Sequence, residues 1–168
     1  MKTMVDGMLQ ELEQEAQTTR RVLERVPDDR LTWRPHPKAR TLGELAMHVA
    51  TTPGGVARLA STSPAQAPRF EDLERRPARA SELIPALDQS VGEAKAVLHG
   101  MDDAALAATW QLFAGDRQVM AIPRGAFLRA IMLNHWYHHR GQLTTYLREL
   151  NVPVPSIYGP SADENPFA

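Results

Sequence analysis

Hydrophobic positions in the N-terminal segment recur at steps of three and four residues. The recurring residues are Val5, Met8, Leu9, Leu12, Ala16, Thr19, Leu23 and Val26. This spacing places them on one face of an amphipathic helix, and Pro27 follows directly after the last of them. The pattern therefore predicts a first long helix that ends before Pro27.

A second helix is predicted after the proline-rich loop of residues 27–40. Thr41 and Glu44 mark its start, because they have the S/T-x-x-E spacing of a capping box. Its predicted core positions are Leu42, Leu45, Val49, Val56 and Leu59. Pro53 lacks the amide that would bond to the carbonyl of residue 49, so we expect the helix to kink or shift its axis there. We expect it to end near Ser61.

Two further helices are predicted in the C-terminal half. Residues 61–80 are predicted to be a loop, after which Ser81 caps the third helix and Gly100 ends it. The apolar face of this helix holds Leu83, Leu87, Val91, Ala94 and Leu98. The fourth helix runs from about Pro123 to Leu150, and Asn151 suits the left-handed position just beyond it.

The segments TWQLF and QVMAI flank AGDR between the third and fourth helices, and they predict a short β-hairpin that covers one end of the molecule. The proline-rich tail after residue 152 is expected to be extended and to pack through Ile157 and Tyr158. Long helices joined by long loops favour an all-α four-helix bundle with crossover connections, formed as a single domain over residues 1–168.

Composition and charge narrow the classes of function. The net charge is −1, and neither the 19 basic nor the 20 acidic residues form a block that would attract nucleic acid or anionic lipid. No apolar run approaches the roughly 18 residues of a membrane span, and the N-terminus lacks the features of a secretion signal. We therefore expect a cytoplasmic protein that acts on a small molecule. Cysteine is absent, so any thiol chemistry requires a thiol from outside the chain.

Three of the six histidines crowd into the segment NHWYHHR of the fourth helix. At about 100° per residue, the stripe within roughly 40° of His135 contains Leu128, Ile131, His139, Gln142 and Tyr146. His138 lies about 60° to one side. Histidines at i and i+4 can reach one cation, as in H-E-x-x-H helices. Spacing alone leaves two alternatives open, a metal site and a pair of hydrogen-bonded core histidines.

His48 is the favoured third ligand, because it stands at the margin of the apolar stripe of the second helix. His36 lies in the proline-rich loop and His99 lies at a helix C-terminus, so both are expected at the surface. Glu44 is explained by its capping box without a metal. The Glu-x-x-His motifs of di-iron bundles are absent from the sequence, which favours a single ion.

The segment TLGELAMHVA around His48 and the segment NHWYHHRGQLTTYLRELNVPVPSIYGPSADE together resemble the DinB-like (YfiT-like) metalloenzyme superfamily. The resemblance covers most of the chain. It implies an up-down-down-up four-helix bundle, usually a homodimer, that holds one divalent cation such as nickel or zinc with three histidines. The family pattern matches His48, His135 and His139.

Three functions stay open at this point. Some branches of the family use low-molecular-weight thiols such as bacillithiol or mycothiol, which implies a metal-dependent thiol S-transferase. A three-histidine site leaves an open position, which also suits a hydrolase that activates water. The third function is a non-catalytic, stress-related dimer that binds a metal. Gln142 is the candidate to orient water or substrate, whereas Arg140 points away from the ligand face and is expected at the surface or in an interface.

Overall fold

A computed structural model describes residues 3–69 and 75–167. The chain is mostly helical, as predicted, with a small sheet. The α-helices of the described residues are α1 (Met4–Leu23), α2 (Leu42–Ser61), α3 (Leu83–His99), α4 (Asp103–Ala107), α5 (Arg124–Phe127) and α6 (His135–Glu149). Two short 3₁₀ turns cover Asp28–Arg30 and Ala80–Glu82. A π-helical segment, Leu128–Asn134, joins α5 to α6, and we call this continuous run of residues 124–149 the C-terminal helix.

The predicted hairpin is present as β2 (Thr109–Ala114) and β3 (Arg117–Pro123). Its loop contains only Gly115 and Asp116, and Gly115 has a φ of 61°, which glycine adopts without strain. A third strand, β1 (Ala65–Gln66), pairs in parallel with β2. The prediction of a loop over residues 61–80 was wrong at Ala65–Gln66, because a two-residue strand carries no periodic signal. The part of that prediction that covers residues 70–74 lies outside the described residues.

Trp110 fixes the sheet over one end of α2, as the sequence predicted for the hairpin. Its side chain is fully buried, and its indole Nε1 donates to the Thr62 carbonyl over 2.7 Å. The same ring stacks on Phe127 with 3.9 Å between the ring centroids. The sheet is therefore anchored both to the end of α2 and to the start of the C-terminal helix.

The predicted start of α2 is confirmed, whereas that of α3 was wrong. At α2, the Glu44 amide donates to Thr41 Oγ1 over 3.2 Å and the Glu44 carboxylate accepts from the Thr41 amide over 2.7 Å. Ser81 does not cap α3, since it lies within the preceding 3₁₀ turn. The Glu82 carboxylate instead accepts the amides of residues 78 and 79, each over 2.9 Å. Both amides bond to the same oxygen, Oε1, which has two lone pairs to accept them.

The core lies between α2, α3, α1 and the C-terminal helix. Helix α2 approaches α3 most closely at Gly54, where an added Cβ would lie 2.8 Å from the Ser90 carbonyl oxygen. Val56 and Leu59, which we predicted in the core, are only half-buried because they line a cavity. Among the described residues, no helix is both long and apolar enough to cross a membrane. The single domain and the up-down-down-up order of the helices stay predictions.

The end of the C-terminal helix and the tail differ from expectation at two residues. Asn151 has the predicted left-handed conformation, with a φ of 58°. Ile157 packs against the core, as predicted for the tail, but Tyr158, which was predicted to pack with it, is 71% exposed. Arg140, however, is not a surface residue, because only 1% of it is exposed. Its guanidinium pairs with Glu15 of α1 over 2.7 Å and also bonds to the Tyr158 hydroxyl of the tail, which supplies the buried charge with partners.

Candidate metal centre

Three histidines from two helices converge in the structure. His48 comes from α2, and His135 and His139 come from α6. Each offers one ring nitrogen, and these nitrogens all lie within 4.8 Å of one another. The ring centroids are 4.5 Å apart for His48 and His139, and 4.4 Å apart for His135 and His139. The structure therefore brings together the three residues predicted from the sequence, in a group that could hold a metal ion.

Gln142 fixes the tautomer of one of these rings. Its Oε1 lies 2.7 Å from Nδ1 of His139. Since an amide oxygen only accepts hydrogen bonds, the proton of the neutral ring lies on Nδ1, and Nε2 keeps its lone pair. That Nε2 faces Nε2 of His135 at 2.8 Å. Two imidazole ligands of a tetrahedral zinc ion lie about 3.3 Å apart, so a small outward movement of the rings admits an ion between them.

His48 carries an unsatisfied nitrogen at the same place. Its Nε2 is buried and has no hydrogen-bond partner among residues 3–69 and 75–167. An unpaired polar atom in the interior costs about 1–3 kcal/mol. Coordination of a cation removes this cost, since a lone pair that accepts no hydrogen bond becomes a ligand. The donor set and the unsatisfied atom therefore both fit a metal of the zinc or nickel type, which prefers imidazole.

All three imidazoles are held in the neutral form that metals bind. Burial, with a smaller contribution from the charge of Arg40, lowers the pKa of His48 to about 3. Burial also lowers the pKa of His139 to about 4, against the hydrogen bond that Nδ1 of this ring donates to Gln142, which acts to raise the pKa. The pKa of His135 is lowered by burial and then by the charge of His138. At neutral pH the triad is therefore uncharged.

Glu44 stays outside the triad, as its capping box predicted. Its carboxylate is only 6% exposed and pairs with Arg76 over 2.6 Å. Burial acts to raise the pKa of Glu44, but hydrogen bonds with Thr41 and the charge of Arg76 outweigh it and lower the pKa overall. The carboxylate is therefore fully engaged in the helix cap and an ion pair.

The other three histidines lie at the surface, as predicted for His36 and His99. His36, His99 and His138 are all exposed. Nδ1 of His36 accepts a hydrogen bond from the Lys38 amide over 3.1 Å, which gives this side chain a structural role in the loop. His138 lies next to the triad, with its ring centroid 5.0 Å from that of His139, but its side chain faces solvent.

A cavity of about 840 Å³ opens beside the triad, and His48 and His135 form part of its wall. Helices α2 and α3 and the π-helical segment enclose it. Its lining combines apolar and polar side chains, among them Val56, Leu59, Ile131, Thr51, Gln89 and Arg58. This volume and mixture are typical of sites for small molecules. Thr51 and Arg58 were not among the predicted site residues. Thr51 lies three residues after His48 and so shares its helix face, which was the available signal, whereas Arg58 lies ten residues away and had none.

One hydrogen bond connects the two helices that carry the triad. Trp136 of α6 is fully buried, and its indole Nε1 donates to the Val49 carbonyl of α2 over 2.8 Å. Pro53 deprives this carbonyl of its usual donor, as the sequence indicated, and Trp136 is the replacement, which the sequence did not indicate. A proline inside a helix was the available signal, because a freed buried carbonyl requires a new partner.

Comparisons with known proteins agree with this fold. The uncharacterized protein YrdA of Bacillus subtilis (strain 168) is 27% identical over 164 residues, which cover 95% of this chain and 91% of that protein. The crystal structure of a DinB-like protein from Bacillus cereus ATCC 10987 superposes with a TM-score of 0.74 at 24% identity, over 93% of this chain and 98% of the other.

Two further crystal structures have the same fold. The DinB-like protein YjoA from Bacillus subtilis gives a TM-score of 0.67 at 17% identity, over 95% of this chain and 99% of the other. A DinB family member from Exiguobacterium sibiricum 255-15 gives 0.63 at 24% identity, over 93% and 98%. The sequence profile of the DinB family matches residues 1–166. The chain therefore belongs to the DinB family.

Proposed function

We propose that this chain is a divalent-metal enzyme that uses a small external thiol. His48, His135 and His139 would hold one ion, and the cavity that His48 and His135 line would give water or substrate access to it. The observation that carries this proposal is the convergence of three ring nitrogens within 4.8 Å of one another at the wall of a cavity of about 840 Å³.

The geometry favours a catalytic site over a purely structural one. Structural zinc sites are closed by four protein ligands, whereas catalytic sites keep a position for water or substrate. Among the described residues, three ligand side chains form the cluster, and two of them border the cavity. A bound divalent ion would lower the pKa of a thiol or a water molecule that occupies the fourth position.

The side chains around the centre have separate tasks in this proposal. Gln142 holds the Nδ1 proton of His139 and so directs Nε2 toward the ion. The apolar wall of the cavity, with Val56, Leu59 and Ile131, binds the carbon skeleton of an electrophile. The sulfur of the thiolate forms a bond to the electrophilic carbon, the leaving group departs with the electron pair of the broken bond, and the thiol proton passes to solvent. The thiol is external because the chain has no cysteine.

The test begins with metal analysis of the chain purified without a histidine tag. We expect about one divalent ion per chain, and we expect that metal to be required for the reaction of a low-molecular-weight thiol with a chlorinated aromatic electrophile. His48→Ala should lose both metal and turnover, and His138→Ala is the matched control that should keep both. Ester hydrolysis without thiol would favour a hydrolase instead. Bound metal without turnover of either substrate would refute the enzyme and favour the non-catalytic dimer.

A further inference from the structure

The hydrogen bond between Trp136 and Val49 joins two residues that are each next in sequence to a histidine of the triad. Val49 directly follows His48 in α2, and Trp136 directly follows His135 in α6. Both side chains are completely buried, and the bond from indole Nε1 to the Val49 carbonyl measures 2.8 Å. The bond therefore connects the sequence neighbours of two histidines that belong to different helices.

Pro53 makes this bond available. In a regular α-helix the Val49 carbonyl would accept the amide of residue 53, and proline has no amide hydrogen. The next amide, that of Gly54, donates to Ser90 Oγ of α3 over 2.8 Å. Helix α2 thus presents a buried acceptor toward the C-terminal helix, and Trp136 supplies the donor.

The bond acts on the part of the triad geometry that local structure leaves open, the two distances from His48 to the other histidines. His135 and His139 share α6, so their separation follows from helix geometry alone. His48 reaches them only through the packing of α2 against α6, and apolar packing is not directional. A hydrogen bond fixes both the position along the helix axis and the orientation of the donor ring.

We propose that Trp136 is a positioning residue for the metal centre, which sets the place of His48 relative to His135 and His139 through the Val49 carbonyl. This inference rests on the proposed metal site. Residues that orient metal ligands from outside the coordination sphere typically contribute about 10–100-fold to metal affinity. A residue that only stabilises the fold would leave the affinity of the folded protein unchanged.

Three variants of the full chain separate the two roles. Trp136→Phe removes the donor and keeps an aromatic ring. Trp110→Phe is the matched control, because Trp110 is equally buried and its indole bond to the Thr62 carbonyl is 2.7 Å long. Thr62 lies 14 residues beyond His48, about 21 Å along a helix. The double variant Pro53→Ala/Trp136→Phe returns an amide to the Val49 carbonyl, so it restores the satisfied acceptor without restoring the bond between helices.

Zinc affinity by calorimetry and the midpoint of thermal unfolding without metal are measured on each protein. We expect Trp136→Phe to weaken zinc binding about tenfold and Trp110→Phe to change it less than about twofold, although both lower the midpoint. In the double variant the midpoint of thermal unfolding should recover, whereas the affinity for zinc should stay weak. The visible spectrum of bound cobalt should shift in both proteins that lack Trp136.

Other outcomes overturn the inference. Recovery of zinc affinity together with the midpoint in the double variant would show that Trp136 acts on stability alone. Unchanged affinity in Trp136→Phe would overturn positioning and leave the proposed function standing, whereas absence of zinc binding by the unmodified chain would overturn both. If Trp136→Phe does not fold, the double variant carries the test, because its carbonyl is satisfied within α2.

Discussion

Helix α6 buries polar groups on two of its faces, and the two faces satisfy those groups differently. On one face, the Arg140 guanidinium bonds to Glu15 over 2.7 Å and to Thr19 Oγ1 over 3.1 Å, and also to the Tyr158 hydroxyl. On the other face, His135 and His139 meet His48, whose Nε2 has no partner within the described residues. Other groups of the protein therefore satisfy the buried polar atoms of Arg140, whereas a buried nitrogen of the histidine group has no such partner.

Two tyrosine rings add further partners to the face of α6 that carries Arg140. The rings of Tyr137 and Tyr158 each lie 5.2 Å from the Arg140 guanidinium, and the Tyr137 hydroxyl donates to Glu11 over 2.9 Å. The Tyr158 hydroxyl donates to Glu15 over 2.9 Å. A buried charge with so many partners ties α1, α6 and the tail together. Buried polar groups that the protein completes itself hold the fold, and groups that it leaves incomplete indicate a ligand.

The largest expected effect comes from the substitution of Arg140. Arg140→Met leaves the nearly buried Glu15 carboxylate without its counter-charge, so we expect the free energy of unfolding to fall by about 3–5 kcal/mol. Arg148→Met is the control, because the Arg148–Asp163 pair is exposed and should contribute about 0–1 kcal/mol. Urea unfolding of both variants measures the difference. A cost below about 1 kcal/mol for Arg140→Met would contradict the structural role.

Removing a histidine of the triad should weaken metal binding and should not destabilise the fold. We expect His139→Ala to weaken zinc binding at least about 100-fold, or about 2.7 kcal/mol, because one of three ligands is lost. His138→Ala removes the exposed neighbour and should change affinity less than about twofold. Calorimetric titration of the metal-free variants provides the measurement. Loss of binding in His138→Ala with retention in His139→Ala would reverse the ligand assignment.

Gln142 offers a milder change on the same face. Gln142→Ala removes the acceptor for the Nδ1 proton of His139, and we expect zinc affinity to fall about tenfold, since outer partners of metal ligands contribute at least that much. Gln142→Glu keeps an acceptor at the same position and should bind zinc at least as tightly as the unmodified chain. Equal affinities in the two variants would show that the amide has no part in orienting the ring.

The pH dependence of stability follows from the lowered pKa values of the triad. Histidine has a pKa near 6.5 in the unfolded chain, whereas the folded values are about 3 for His48 and about 4 for His139. Below about pH 6.5 the unfolded chain therefore binds protons that the folded chain refuses, and stability falls as the pH falls toward 4. Stability from this source is complete above about pH 6.5. Protons also compete with metal for the same nitrogens.

Thermal melts from about pH 8 to 5, with and without zinc, test this expectation. The range avoids the titration of Glu44, whose pKa is lowered from 4.5. We expect the increase in melting temperature that zinc causes to shrink on acidification. His48→Ala should show a shallower pH dependence without metal, and the exposed His36→Ala should not. A zinc effect that stays constant to pH 5 would point to carboxylate ligands.

The smallest expected effect concerns a second copy of the chain. We propose a homodimer, so sedimentation should give a mass of about twice 18.7 kDa. Because one chain supplies all three histidines of the cluster, dilution of the dimer should change zinc affinity less than about twofold. A concentration-independent monomer would contradict the dimer, and a strong loss of affinity on dilution would show that the partner contributes to the site.

Much of the local structure could be predicted from the sequence. The spacing of His135 and His139 places both on one helix face whatever surrounds the helix. The capping box of Thr41 and Glu44 and the left-handed Asn151 are likewise set by near neighbours in the chain. The hairpin was predictable from its turn residues. Each of these features depends on interactions within a few residues, which is why the pattern of the sequence was sufficient.

Most of the predictions that were wrong concern relations between distant segments, and the Ser81 cap is the local exception. Arg140 was expected at the surface because an arginine outside the apolar stripe normally lies there. Its burial depends on Glu15 and Tyr158, which lie far away in the sequence. The short strand at residues 65–66 exists only because β2 lies beside it. The π-helical segment before His135 likewise has no signal in the hydrophobic pattern, which assumed one regular helix.

The sequence by itself determined the four long helices, the family and the three candidate histidines, because periodicity and short motifs encode them locally. Only the tertiary structure decided that the rings converge beside a cavity, and that Trp136 takes the carbonyl which Pro53 leaves free. It also decided that residues of α1 and the tail pair with the buried guanidinium of Arg140. Whether a buried polar group is satisfied depends on what the rest of the chain places around it, and that environment exists only once the helices have packed.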